Sequence, residues 1–332
     1  MSEGKKVAVS YAMIVVLLLQ VSFVCGIIWE PITENIHYSS RRLENTAGTL
    51  FRLRGQLSFD NVRISIPLMM HSGEQRLFSM VKSNVLPKNL AQRYPEIKTY
   101  VGNDGDTLAR LDYSPSAGLR AAIYSKGQVS YIDPIAKDHQ IYKVYSAKDM
   151  GKPPGEWDCK LHPHNERERT LSTAGNFNMY QFKIVVAANG QYSSFHGNTK
   201  SSVLAAIVSL LNRVNGIYER DLGVTFQLHD DNDDAVCLSP CSSLSNTGKV
   251  LDEVNGFING VGISTSSFHI GHVLTTGAGG SAYMGVLCSP NKARGATGTN
   301  NPIGDAFYVD YVAHELGHVS ISCSTRLDLT FL

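Results

Sequence analysis

Apolar residues change their spacing midway along this 332-residue chain, and no single sheet or bundle accommodates both patterns. Up to about Tyr145 the runs are short and alternate between apolar and polar. Val62 to Ile66 switches character at every residue, and Thr49 to Arg54, Thr107 to Leu111 and Val129 to Ile132 largely follow the same alternation, which is the period of a half-buried strand. Gly and Asp turn signals such as Gly102 to Asp106 separate them,. Beyond Met179 the period lengthens. Between Thr199 and Leu222 the apolar positions are Val203, Ile207, Leu210, Leu211, Val214, Ile217 and Tyr218. Steps of three and four give one helix face, and Gly223 supplies the stop. Tyr180 to Ala188, Val224 to Leu228 and Phe268 to Leu274 read as strands, and Lys249 to Ile258 and Phe307 to His318 as further helices. Strands alternating with helices predict an α/β sandwich.

Between the halves, Lys148 to Thr173 carries Gly151, Pro153, Pro154, Gly155 and Pro163 without periodic signal and reads as a linker,. Arg167 to Arg169 is either a basic processing site or part of a solvated linker. At the front, Lys5 and Lys6 precede an apolar stretch from Val7 to Ile28, with small residues near Val24, Cys25 and Gly26. This reads as a signal peptide. The alternative is a type II anchor, since the stretch is long enough to span a bilayer. The expected organisation is a signal peptide over 1–26, a β-rich domain over 27–147, a linker over 148–175 and an α/β domain over 176–332.

A secreted chain meets an oxidising compartment. Six cysteines are present, and loss of Cys25 with the signal leaves Cys159, Cys237, Cys241, Cys288 and Cys323, an odd set. Cys237 and Cys241, flanking Pro240, suit a small loop disulfide, and Cys288 suits a partner beyond residue 332. No Asn-x-Ser/Thr acceptor occurs. A net charge of +1 with no basic block argues against nucleic acid as a partner,. His229 to Asp234 is acidic but lacks the glycine and downstream glutamate of a calcium loop, so it is expected to be solvated,.

His314-Glu-Leu-Gly-His318 carries the chemistry. Residues four apart share a helix face, about 6 Å apart along the axis. Two imidazoles placed so can reach one zinc ion, and Glu315 can relay a proton between an attacking water and a leaving amine. The run Phe307 to Ala313 puts this helix in a core, where two histidines and a glutamate are costly unless something pairs them,. His269 and His272 lie three apart on a strand, point to opposite faces and read as satisfied strand histidines,.

The stretch from Met179 to His318 resembles the reprolysin-like metzincins, the group of ADAM and snake-venom proteinases. The matching runs are Asn212 to Val224, His269 to Gly277, Asn291 to Gly295 and Tyr311 to His318. The resemblance implies a metzincin-like α/β (α+β) catalytic domain with a mixed sheet and an active-site helix, preceded by a β-rich propeptide domain. It implies Zn2+ as cofactor, His314 and His318 as metal ligands, Glu315 as catalytic base and a protein or peptide as substrate. By analogy with related proenzymes, Cys159 becomes a candidate cysteine switch, against the alternatives of a disulfide half or an inert thiol. Gly279 and Gly280 fall where an edge strand would hold an extended peptide.

The family pattern continues with a glycine, a third histidine and a methionine turn. Here Ile321 and Ser324 occupy the first two of those positions, and neither histidine nor methionine follows His318. Cys323 and Asp328 remain as substitute ligands. The expectation is a secreted zinc metalloendopeptidase, C-terminally truncated and impaired in this form. The alternative is a non-catalytic secreted or membrane-anchored binding protein.

Overall fold

The computed structural model describes residues 23–24, 27–33, 47–55, 57–59, 62–135, 138–149, 179–277, 279–287 and 289–320. The signal segment up to Ser22, the linker with Cys159, Cys288, and the positions of Ile321, Cys323, Ser324 and Asp328 lie outside them. Among the described residues no helix is long and apolar enough to cross a membrane.

The first half is a ten-stranded sheet. Its strands are β1 (Phe23–Val24), β2 (Ile27–Pro31), β3 (Thr49–Gly55), β4 (Arg63–Met69), β5 (Gln75–Lys82), β6 (Lys98–Asp104), β7 (Thr107–Ser114), β8 (Gly118–Ser125), β9 (Gln128–Pro134) and β10 (Ile141–Ser146). They run in the order β1-β4-β5-β6-β7-β8-β9-β10-β3-β2. β1 and β2 are neighbours in sequence yet occupy opposite edges. A chain from Val24 to Ile27 reaches at most about 11 Å, so the two edges meet and the sheet curls into a barrel. The Trp29 indole N–H ties them by donating to the Pro67 carbonyl at 2.9 Å. Alternation fills the interior: Ile64, Ile66, Leu68, Phe78, Met80, Tyr100, Leu111, Ile123 and Ile132 form one buried cluster,.

The second half is a five-stranded mixed sheet made of β11 (Tyr180–Ala188), β12 (Val224–Leu228), β13 (Ile270–Thr275), β14 (Gly279–Ala282) and β15 (Gly295–Gly298), in the order β12-β11-β13-β15-β14. All neighbours pair parallel except β14, which runs antiparallel at the edge. Helices α2 (Gly190–Phe195), α3 (Lys200–Leu222) and α4 (Val250–Gly260) complete it. Successive strand residues point to opposite faces. Ile184, Val186 and Ala188 pack with the apolar face of α3, while Val185, Ala187 and Val273 pack with Val254 and Ile258 of α4. The long helix starts where Thr199 accepts the Ser202 amide and ends where Gly223 turns left-handed at φ 65°,. Cys237 and Cys241 are disulfide-bonded.

Two features depart from the sequence reading. A short helix, α1 (Lys88–Arg93), interrupts the β-rich half, since six residues show too little periodicity to register. The acidic loop is not simply solvated. Asn232 and Asp233 are buried. The Asn232 side chain bonds both backbone groups of Val186, and Asp233 receives Arg93 Nη2 at 2.7 Å and Tyr94 Oη at 3.0 Å. Its charge has a partner far away in sequence.

Candidate metal centre

The last helix is built in two parts. Ala306 to Ala313 winds as a π-helix and His314 to Ser320 continues as α5, where the 3.6-period reading expects one uninterrupted α-helix. A stretch of i→i+5 bonding is rare and concentrates at functional sites. Here both ends of the wide turn are held. Asp305, just before it, is bonded by Arg213, and Tyr218 donates to the Ala313 carbonyl at 2.7 Å. Phe307, Tyr308, Tyr311 and Val312 are buried along it.

One α-turn then brings His314 and His318 together. Their Nε2 atoms lie 2.7 Å apart and their rings stand nearly perpendicular, with centroids 4.4 Å apart. At that distance the two nitrogens share a hydrogen, one donating to the other. Tetrahedral zinc with bonds of about 2.0–2.1 Å needs its nitrogen ligands about 3.3 Å apart, so a small rotation of either ring admits the ion. Burial lowers both imidazoles below their usual value, and for His314 the neighbouring His318 lowers it further. Both are therefore neutral at pH 7, the form that binds a metal. The donor set fits zinc with two protein ligands. Among the described residues no group of three histidine, cysteine or acidic side chains converges.

Glu315 sits beside the pair and is only 2% exposed. Burial pushes its carboxyl up to about 7. Its carboxyl end packs on the edge strand at Gly280, where a Cβ would overlap Oε1 and Cδ. Gly280 is thus required for close approach, and β14 and α5 meet there without a side chain between them. The loop after β14 ties to the same turn, with Gly285 N donating to His318 O at 3.0 Å and Leu287 N to Val319 O at 3.1 Å. The sequence reading places Gly280 on an edge strand; it does not reveal that its missing side chain makes room for Glu315.

The other histidine pair stays apart. His269 Nδ1 accepts the Lys183 amide at 2.8 Å, whereas His272 is buried with Nε2 against Thr297 Oγ1 at 2.8 Å. Burial pushes the His272 imidazole down to about 3. Between that value and an unfolded pKa of about 6.5 the unfolded chain binds a proton that the native state refuses. Stability is therefore full above pH 6.5 and falls by about 1.4 kcal/mol per pH unit as pH drops through this window. Replacing His272 with Gln removes that slope. Urea midpoints at pH 7 and pH 4.5 check it: the wild type loses more stability between the two than the variant does.

Residues 204–320, from within α3 to the end of α5, match the family model described as Metallo-peptidase family M12B Reprolysin-like. Among solved structures, the chain is similar to metalloproteinase-II from Bacteroides fragilis, with 13% sequence identity and a TM-score of 0.41 over 78% of this chain and 80% of that chain. No curated protein matches this chain in sequence.

Proposed function

We propose that the chain is a zinc-dependent metalloendopeptidase in which His314 and His318 hold the ion and Glu315 is the catalytic base. The meeting of the His314 and His318 imidazole nitrogens, with buried Glu315 carried on the same helical turn, carries this reading. Its match to a metallopeptidase family over residues 204–320 supports it. Zinc, when bound, polarises a scissile carbonyl and lowers the pKa of water. Glu315 takes a proton from the attacking water and returns it to the departing amine, a task suited to a carboxyl that burial holds near neutrality,. Among the described residues β14 pairs on one side only, so its outer edge can take an extended peptide as an added strand. Access of water and peptide to the ion is consistent with both histidines being half-buried rather than sealed.

A two-ligand site holds zinc more weakly than the three ligands of a catalytic centre, so we propose impaired activity for this form. Cys323 and Asp328 are candidate third ligands, and Cys159 is a candidate thiol for zinc's open position. We further propose that the chain is secreted; the Cys237–Cys241 disulfide favours an oxidising compartment,. Casein hydrolysis that disappears with a chelator and returns with zinc is the expected result. Hydrolysis indifferent to the chelator would refute the metallopeptidase reading.

Gly280 offers a sharper probe. Gly280→Ala pushes the carboxylate away without touching either imidazole. Zinc content stays as in the wild type, while kcat falls about 100-fold, the cost of roughly 1 Å misplacement. Elemental analysis alongside casein turnover reads both.

A further inference from the structure

We propose that the N-terminal barrel is a permanent partner of the second unit, and that the two halves remain one particle after the chain is cut within residues 150–178. This goes beyond the peptidase reading and stands without it. The first observation is a shared core. Val85, Leu86, Leu90 and Ile97, carried between β5 and β6 of the barrel, are buried in the same apolar cluster as Val203, Leu210, Val214 and Phe226 of the second unit. The backbone joins as well: Leu228 N donates to Val85 O at 2.9 Å, and Gln227 Nε2 donates to Asn84 O at 3.0 Å. Residues 84–97 thus act as a clasp along the otherwise open edge of β12. Stripping the clasp away would expose that edge and empty part of the core, and both changes are unfavourable in water.

The second observation concerns fit. α3 has a glycine at position 216 where the Tyr124 ring of β8 lies, and a Cβ there would overlap the ring. Tyr124 then donates to the Arg213 carbonyl at 3.0 Å. Around this contact a polar set crosses the interface. Arg110 donates to Asn212 at 3.0 Å and to Glu219, Ser209 donates to Asp112, and Arg213 reaches Asp133 at 2.7 Å. Arg120 donates to Tyr308 of the π-helix at 3.0 Å. Buried ion pairs contribute little net affinity because separation rehydrates both charges, but they exclude other registers. The apolar clasp therefore holds the halves together, and the polar set fixes how they meet. Because Asp305 and Tyr308 belong to that set, the retained barrel also anchors the start of the helix that bears His314.

The test uses the full chain with a site-specific protease sequence inserted between Lys160 and Leu161, cut after folding. Size-exclusion chromatography should show both fragments eluting together at micromolar concentration, in 0.15 M and in 1 M salt. Leu90→Ala in the clasp and, separately, Gly216→Val on α3 should each weaken retention at least about tenfold, the effect of losing a buried side chain or of forcing the surfaces apart. Separation of the cut wild-type fragments at micromolar concentration would overturn the proposal. Retention unchanged in both variants would overturn it too, because the halves would then be joined elsewhere.

Discussion

Glu315→Gln is expected to lower casein hydrolysis by about 10²- to 10⁴-fold while leaving bound zinc unchanged. The substitution is nearly isosteric, so packing against Gly280 persists, and neither imidazole is altered. What disappears is the ability to accept a proton. The side chain is 2% exposed and burial alone pushes its pKa up to about 7, so water cannot substitute for it cheaply. The split between metal content and turnover separates this role from a structural one. A variant that loses zinc as well would make Glu315 a support for the metal site, and one that retains full turnover would assign the base elsewhere.

Arg213→Ala is expected to destabilise the folded chain by about 3–5 kcal/mol. Arg213 is 1% exposed. It bridges Asp133 of the barrel at 2.7 Å and Asp305 before the π-helix, and lies over the rings of Tyr131 and Tyr308 at 5.4 and 5.6 Å. Its own charge stays fixed because those carboxylates offset the cost of burial. Removing it leaves two buried carboxylates facing each other across the Tyr145 hydroxyl, which lies 2.7 Å from Asp133 and 3.1 Å from Asp305 and has one hydrogen to donate,. The loss corresponds to a Tm drop on the order of 10 °C. Its pH dependence has a defined sign. Asp305 is already raised to about 7 by burial, against the lowering effect of Arg213. A carboxyl with a raised folded pKa stabilises the native state as pH falls below that value and penalises it above. The deficit of Arg213→Ala should therefore shrink from pH 8 to pH 5, where the orphaned carboxyl takes a proton. Thermal melts of both proteins at the two pH values measure this; an equal deficit at each would show that the carboxylates are hydrated.

The sequence made the elements with strong local signals legible. Thr199 and Gly223 bound α3 to within one residue because a hydroxyl cap and a left-handed glycine are local chemistry,. The pairing of Cys237 with Cys241 follows from spacing, while the edge position of Gly279 and Gly280 is implied by the family resemblance. His314, Glu315 and His318 share their turn because a helix puts i and i+4 together,. What stayed hidden depends on distant partners. Asp233 reads as part of a solvated loop, and nothing local marks Arg110, Arg213 or Asp305 as buried; their partners Arg93, Glu219, Asp133 and Tyr145 reach them only in the fold. The clasp at 84–97 is invisible for the same reason: Leu90 is apolar in a short segment, and its core belongs to the other half of the chain. The π-helix at 306–313 escaped because apolar spacing does not distinguish five-residue from four-residue bonding across so short a span.

The imidazole nitrogens of His314 and His318, 2.7 Å apart, either serve one cation or merely hydrogen-bond to each other. Equilibrium titration of chelator-treated full chain with zinc, followed by calorimetry, decides between them. One zinc per chain should bind to the wild type, with affinity lowered at least about 100-fold in both His314→Ala and His318→Ala as a ligand is removed. Zinc uptake equal in the wild type and the two variants would mean that the ion sits elsewhere and that this helical turn is not a metal site.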